Sequence, residues 1–360
     1  MRRRCKDETR AEKAALAMND LWCELPDMQA ELWQLVAQIP PGSVTTYGAL
    51  AEALGDRAAA RWVGQVLLND EEAARYPTHR VLRAGGELGA FCEAGGTVEK
   101  RRRLQHEGVE VVGERVDLAP CEFVAFEGSR PLTALRQRQE DLRKRLVLGP
   151  PSHAVTTVAG VDVSYRGGEA VAAYAVVERR PDRDAFDSPM ADGPLWSCVA
   201  RRPVRFPYIS SYLAFRELPV LLDLWQEVTH CGPRPDVVLV DGSGILHPRR
   251  LGVAAMFGVL IDWPTIGVTK KRLFGRRDRD VAPGAGQIAA ICEDGEQLGW
   301  AVWPTTGSER PLYVSPGQRV DLATCRDVVL DCLGERRLPE PIYWADRLSR
   351  QAARETTVRK

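Results

Sequence analysis

Apolar and polar positions along this chain follow two rhythms, helical at first and strand-like later, and the change divides the sequence. From Gln29 to Gln38 the stretch QAELWQLVAQ repeats its apolar residues at helical intervals, and Pro40-Pro41-Gly42 ends it. Thr45-Thr46 then caps a second helix, YGALAEALG, and after the tight Gly55-Asp56 turn AAARWVGQVLLND predicts a third. Two short helices joined by such a turn form a helix-turn-helix pattern, whose second helix can enter a groove of DNA. Regular patterning lapses between Val112 and Arg130. A basic helix follows, LTALRQRQEDLRKRLVL, stopped at Gly149-Pro150-Pro151. Beyond it VTTVAGVDVSY and EAVAAYAVVE read as strands about the turn Gly167-Gly168, and LWSCVARRPVRF predicts a third after the polar loop RRPDRDAFDSPMADGP. A helix through YLAFRELPVLLDLWQEV, the buried strand PDVVLVDG, the helix RRLGVAAMFGVLI and the buried strand PTIGVTK complete the order. Three strands followed by alternating helix and strand predict an α/β layer with a mixed sheet flanked by helices, preceded by a small winged helix-turn-helix-like domain.

The chain of 360 residues exceeds one ordinary domain, so two are expected. The expected bounds are an N-terminal tail at 1–27, a front domain at 28–113, a linker at 114–130, a second domain at 131–350 and a tail at 351–360. Lys+Arg and Asp+Glu are equal at 49 each, so net charge is silent on nucleic acid, and local basic patches must carry that argument. No apolar run approaches the roughly 20 residues that span a bilayer, which argues against a membrane partner. The start, MRRRCKDETR, has no apolar core behind it and is not read as a secretory signal. The 9 cysteines are scattered without a CxxC pair, which suggests neither a zinc knuckle nor a disulfide framework. A reducing cytoplasm and a monomer are expected.

Three acidic residues stand where burial would penalise them. Asp162 lies inside VAGVDVSY, Asp241 ends the apolar run VVLVD, and Glu217 interrupts the apolar helix YLAFRELP. Buried carboxylates pair or bind metal. Each taken singly could cap a turn or pair with an arginine, Arg216 serving Glu217. Together, two carboxylates at adjacent strand ends with a third from a helix over them form a hard-oxygen cage suited to magnesium. Such a cage on three strands followed by α/β units is the ribonuclease H-like plan, and Asp346 in YWADRLSR is the candidate fourth acid.

The stretch from Pro131 to Ser349 resembles endonuclease V. The resemblance rests on VAGVDVSY, PYISSYLAFRELP, VDGSGILHPRRLG, PTIGVTKKRLFG, PLYVSPGQRV and RLPEP, in the family's order. It implies a magnesium-dependent endonuclease, with manganese as a substitute ion, that cleaves the second phosphodiester on the 3′ side of deoxyinosine. By motif, Asp162, Glu217 and Asp241 would be metal-binding catalytic acids, with Asp346 the fourth. His247 and Lys270 would sit by the scissile phosphate, and Arg249 and Arg250 would hold backbone phosphates. Tyr208 resembles the aromatic wedge that separates strands at the damaged base, although Ser210-Ser211 follow where the family has Gly or Pro-Gly. Ile342-Tyr343, where Thr-Arg is common, departs from the pattern before Asp346.

The segment from Met28 to Gly113 resembles the DNA-binding domain of the O6-alkylguanine alkyltransferases, through IPPGSVTTYGALAEALG, AAARWVGQVLLND, YPTHRVLRAGGELGAF and KRRRLQHEGV. Active members carry a nucleophilic cysteine in Pro-Cys-His-Arg-Val; this chain reads Pro77-Thr78-His79-Arg80-Val81. A threonine hydroxyl is far harder to ionise than a thiol, so Thr78 is not expected to accept alkyl groups. The resemblance is therefore to alkyltransferase-like proteins, which bind such damage without the chemistry. Arg61 matches the arginine that replaces the flipped nucleotide, Tyr47 the tyrosine that rotates the phosphate, and Asn69 the residue that braces the active-site turn; Thr78, His79 and Arg80 would line the DNA-binding pocket. Cys92 falls outside the motif, and the run Lys100 to Arg103 reads equally as a DNA-binding or a solvated helix face. The leading reading is a damage-sensing module fused to a nuclease acting on damaged DNA, deoxyinosine in one half and O6-alkylguanine in the other. A DNA-binding regulator with an inert nuclease half and an inosine-specific ribonuclease acting on RNA are the competing readings.

Overall fold

The computed structural model describes residues 25–181, 191–278, 280–284, 286–304 and 310–355. Most of the expected N-terminal tail, much of the polar loop before the third strand of the large sheet, and residues 356–360 lie outside these. The chain forms two compact units. One comprises Leu25–Arg138 with Arg205–Tyr212; the other comprises Gln139–Val204 and the chain from Leu213 onward.

In the front unit α1 (Met28–Ala37) is capped by Asp27, whose carboxylate accepts from the Gln29 and Ala30 N–H groups. Thr46 caps α2 (Tyr47–Ala53) by accepting from the Ala49 N–H, as its place in the sequence predicts. Asp56 caps the 3-10 turn Arg57–Ala59 that leads into α3 (Ala60–Asn69). The strands β1 (Thr45–Thr46) and β2 (Val81–Leu82) pair in parallel, and α4 (Gly96–His106) follows them. The core gathers Val44, Leu82, Leu88, Leu104, Val109 and Val116. The stretch expected as a linker is tied into this unit: Val44 N–H donates to Cys121 O at 2.8 Å, and Phe123 N–H donates to Val44 O at 2.7 Å. The basic helix is α5 (Pro131–Arg143). Its Leu132 N–H donates to Leu54 O at 2.9 Å. The buried Tyr212 hydroxyl donates to Asp56 Oδ2 at 2.7 Å, which ties the end of 205–212 to the front residues.

The second unit is built on a sheet of nine described strands: β3 (Thr157–Arg166), β4 (Glu169–Glu178), β5 (Trp196–Pro203), β6 (Val237–Asp241), β7 (Thr265–Thr269), β8 (Arg276–Arg277), β9 (Ile288–Glu293), β10 (Glu296–Val302) and β11 (Leu312–Pro316). Their order across the sheet is β5-β4-β3-β6-β7-β11-β10-β9-β8. The first three pair antiparallel, and β6 and β7 add in parallel, as the pattern of three strands and then α/β units predicts. Helices α6 (Leu213–Cys231), α7 (Val253–Ile261), α8 (Leu322–Asp331) and α9 (Glu340–Glu355) flank it. β4 packs against both α6 and α9, so it is buried along nearly its whole length with small residues such as Ala172, Ala173 and Ala175. β5, at the edge, alternates between half-buried and exposed positions. Helix α7 starts at Val253 rather than among the arginines, which stand in the preceding turn. The strands after β7 were not predicted, although the β9–β10 hairpin carries its signal: Asp294 and Gly295 both have positive φ, the two-residue turn that suits a twisted hairpin. No helix among the described residues is long and apolar enough to cross a membrane.

The start of α9 lies directly over β3 because Gly160 has no side chain. A Cβ there would stand 2.2 Å from the Pro341 carbonyl carbon and oxygen. Gly160→Ala should therefore destabilise the protein by on the order of 1–3 kcal/mol, the usual cost of overpacking. A urea midpoint equal to that of the wild type would show that α9 does not press on β3.

Candidate functional site

The sheet register brings the acids of the second unit together. β3 and β6 run in parallel with Val161 opposite Val240, so Asp162 and Asp241 are the next residues on each strand. Asp162 is 8% exposed, and Asp241 lies at the half-buried end of β6. On α6 Glu217 is also 8% exposed, turned inward on a helix face otherwise made of Ala214, Leu218 and Leu221. Lys270, immediately after β7, sets its ammonium 2.8 Å from Asp241 Oδ2 and 3.9 Å from Asp346 Oδ1. Asp346, on α9, also pairs with Arg350 at 2.7 Å.

Electrostatics follow from this crowding. Burial, the neighbouring Asp241 and then Asp346 push the Asp162 carboxyl up to about 7, against a hydrogen bond from Ser349. Burial and Asp241, with Asp162 adding, push Glu217 up to about 8 against Tyr165 and Arg216. Burial works against the charge on Lys270, yet Asp241, Asp346 and Asp162 hold its pKa above the ordinary lysine value. As the side chains stand, no three described His, Cys, Asp or Glu residues converge to enclose a metal ion.

In the loop that follows Asp241, His247 is 3% exposed, and its Nδ1 accepts the Arg249 backbone N–H at 3.1 Å. The Arg249 side chain donates to Gln139 Oε1 at 2.7 Å, while Arg250 lies 3.2 Å from Glu296 and over the Phe274 ring. The loop bearing them folds back where β7 has Gly267, whose absent Cβ would stand 2.2 Å from Gly244 N.

A family model described as Endonuclease V matches residues 140–347. The chain belongs to the endonuclease V family. Among solved structures it is similar to endonuclease V from Streptomyces avermitilis, with 32% identity and a TM-score of 0.54 over 62% of this chain and 93% of that one. It is also similar to the catalytic domain of human endonuclease V, with 30% identity and a TM-score of 0.55 over 64% of this chain and 99% of that one. A third is endonuclease V of Ciona intestinalis in complex with DNA containing an inosine followed by a ribo-adenosine, with 28% identity and a TM-score of 0.54 over 63% of this chain and 100% of that one. Residues 27–109 match a second model, described as the DNA-binding domain of 6-O-methylguanine DNA methyltransferase.

In the front unit, Thr78 opens a 3-10 turn and is 4% exposed. Its Oγ1 lies 3.4 Å from Ala73 O and 3.6 Å from Cys92 Sγ, so the thiol outside the motif returns beside the motif position. His79 Nε2 is 2.9 Å from Glu107 Oε1, and Arg80 holds the same carboxylate through Nε at 2.9 Å and Nη2 at 2.6 Å. The buried His79 Nδ1 has no partner among the described residues. Burial lowers the His79 pKa and outweighs the opposing pull of Glu107. Burial would raise the Glu107 carboxyl, but Arg80 and His79 bring it down to about 2. Lys100 is not a solvated residue: it is 1% exposed, donates from Nζ to Val81 O at 2.6 Å, and is brought down to about 8 by burial. Arg102 and Arg103 instead pair with Glu99. Tyr47 is half-buried and Arg61 is exposed.

Asn69 departs from the expectation. Its amide donates to Gln65 O, one turn back on its own helix, and not to the Thr78 turn. As the last residue of α3 it is exposed and satisfies its own helix end; the turn is closed by Thr78 N–H to Tyr76 O and Arg80 N–H to Pro77 O. Tyr208 is 61% exposed between the buried Phe206 and Ile209.

Sequence reading missed Tyr165, Ser164 and Ser349. The Tyr165 hydroxyl donates to Glu217 Oε1 at 3.2 Å, and its ring stacks beneath the Arg216 guanidinium at 4.4 Å. Ser349 donates to Asp162 Oδ2 at 2.7 Å. The two-residue alternation of VDVSY was the available signal for Ser164, since it places that residue on the face of Asp162; nothing local marks Ser349.

A carboxyl with a higher pKa in the folded than in the unfolded state contributes stability in full below its unfolded pKa and loses that contribution as pH rises through its folded pKa. For Asp162 and Glu217 the loss runs up through pH values of about 7 and about 8. The unfolding temperature in metal-free buffer should therefore fall as pH rises from about 5.5 to about 8.5, and the Asp162→Asn variant should fall less steeply. Equal slopes for variant and wild type would mean that Asp162 holds no extra proton in the folded protein.

Proposed function

We propose that this chain nicks DNA at the second phosphodiester on the 3′ side of deoxyinosine, and that its front unit binds O6-alkylguanine-type damage without taking up the alkyl group. The observation that carries the nuclease reading is the cluster of buried Asp162 and Glu217 with half-buried Asp241, within the region matched to endonuclease V. The inosine in the Ciona relative's DNA suggests the same base here. The donor set consists of carboxylates, the hard oxygen ligands that magnesium prefers and that manganese accepts. Asp162, Asp241 and Glu217 would hold the ion, with Asp346 beside them. Magnesium would supply Lewis acidity toward the phosphate and a lowered pKa for attacking water.

The chain's own groups do the rest in this reading. Lys270 offers a retained positive charge toward the phosphate, and His247 stands as the proton-donating group nearby in the motif. Arg249 and Arg250 would exchange some of their present contacts for backbone phosphates. Tyr208 is exposed enough to serve as the wedge that replaces lost stacking when the base leaves the helix. In the front unit Tyr47, Arg61, Thr78, His79 and Arg80 would receive the flipped alkylated base. Tethering the two halves raises the effective concentration of the nuclease near any lesion the front unit holds. We place the protein in a reducing cytoplasm, where scattered cysteines without a CxxC pair remain thiols.

Asp241→Ala should abolish magnesium-dependent nicking of inosine DNA and leave gel-shift binding of that DNA largely intact. Near-normal cleavage by this variant would refute the active site, and faster cleavage of a matched inosine RNA would reassign the substrate. For the front unit, incubation with DNA carrying a radiolabelled O6-methylguanine should leave the label on the DNA while the two remain tightly bound. Transfer of label to Thr78 or Cys92 would show an alkyltransferase instead.

A further inference from the structure

Ser349 is fully buried on α9, and its hydroxyl meets three oxygens. Asp162 Oδ2 is 2.7 Å away, Ser164 Oγ is 2.8 Å away, and the Asp346 carbonyl is 3.1 Å away. A hydroxyl has one proton to give and lone pairs to receive others. The carboxylate is both the nearest of these acceptors and the one that carries charge, so it takes the proton. Ser349 then accepts from Ser164, which shares the Asp162 face of β3 two residues on. The two serines form a one-way relay, Ser164 to Ser349 to Asp162 Oδ2.

Nothing about the helix calls for this arrangement. Alanine is the better helix former and would fill the same place without a polar atom to satisfy. A hydroxyl held in so confined a place at one oxygen of a buried acid has a positional effect: it fixes the rotation of the carboxylate and takes up an acceptor site of Oδ2, which makes Oδ1 the less engaged oxygen toward a cation. We propose that Ser349 is a positioning residue that orients the Asp162 carboxylate for its divalent ion, and that Ser164 acts only through Ser349. This rests on the endonuclease V reading, in which Asp162, Asp241 and Glu217 hold that ion.

Mn2+ uptake by the full-length protein, followed by loss of the free-ion electron paramagnetic resonance signal, tests this without reference to nicking. Ser349→Ala should weaken uptake on the order of tenfold, the usual effect of removing a partner of a metal ligand. Ser164→Ala should weaken it less. The double variant should bind no worse than Ser349→Ala alone, because a group that works only through another adds nothing once that other is gone. Ser349→Thr, which keeps the hydroxyl, should restore binding. Wild-type affinity in Ser349→Ala, or losses that simply add in the double variant, would overturn the relay. Should Ser349→Ala fail to fold, Ser164→Ala with unaltered affinity would overturn the part assigned to Ser164, and Ser349→Thr with the loss expected of Ala would overturn the part assigned to the hydroxyl. Absence of Mn2+ uptake by the wild type would instead bring down the three-carboxylate reading together with the serine.

Discussion

Two carboxylates forced side by side on neighbouring parallel strands, Asp162 in the middle of β3 rather than at a strand end and Asp241 at the end of β6, are the constraint around which the nuclease unit is arranged. Like charges in a low-dielectric setting repel strongly, and neither Asp162 nor Asp241 can move away without breaking sheet register. The register is imposed by the apolar residues before them, Val158 to Val161 on β3 and Val237 to Val240 on β6, all buried. Hydrophobic packing thus holds the acids together against their own repulsion. The surrounding groups answer that repulsion: Lys270 brings positive charge to Asp241, Ser349 a hydroxyl to Asp162, and Tyr165 a hydroxyl to Glu217. Burial first, and the neighbouring acids after it, still push both Asp162 and Glu217 upward in the presence of these partners. A site short of positive charge is the setting in which a divalent cation gains most.

The front unit holds its polar groups in the opposite balance. Glu107 is shared between His79 and Arg80, and its carboxyl stays well ionised. The Thr78 turn, the Lys100 ammonium on Val81 O and the parallel β1–β2 pair form one hydrogen-bonded frame. At Thr78 this frame has a hydroxyl and an added methyl on Cβ where a cysteine would have a thiol. The hydroxyl keeps a hydrogen-bonding group at the position without offering an easily ionised nucleophile. In the proposed reading binding and chemistry are separable, because the frame that would receive a base does not depend on the group that would react with it.

Much of this was legible in the chain itself. The strands β3 and β4, the buried β6 and β7, the cap at Thr46 and the helices around them follow from local periodicity, since burial on one face or two leaves a residue-by-residue pattern. The acids Asp162, Asp241 and Glu217 were conspicuous for the same reason, each a charge inside an apolar run. The β9–β10 hairpin had its Asp294-Gly295 signal and went unread, and the stretch 114–130, poor in pattern, was read as a linker although Val44 holds it by two backbone hydrogen bonds. Irregular segments satisfy their backbone groups through distant partners, and no local rhythm records them.

What the sequence by itself determined, then, was which apolar runs would be buried and which acids stood inside them, because the hydrophobic effect acts on each position through its own surface. Which buried groups meet was decided only by the tertiary structure. Lys100 stands in a run with three arginines and looks like its neighbours, yet it turns inward to Val81 while Arg102 and Arg103 turn to Glu99. Asn69 matched its motif and still bonds its own helix. Ser349 carries no mark in its surroundings; it reaches Asp162 because Gly160 lets α9 lie directly on β3. Hydrogen bonds are directional and short, so their partners are chosen by the close approach of elements far apart in the chain, which burial alone does not specify.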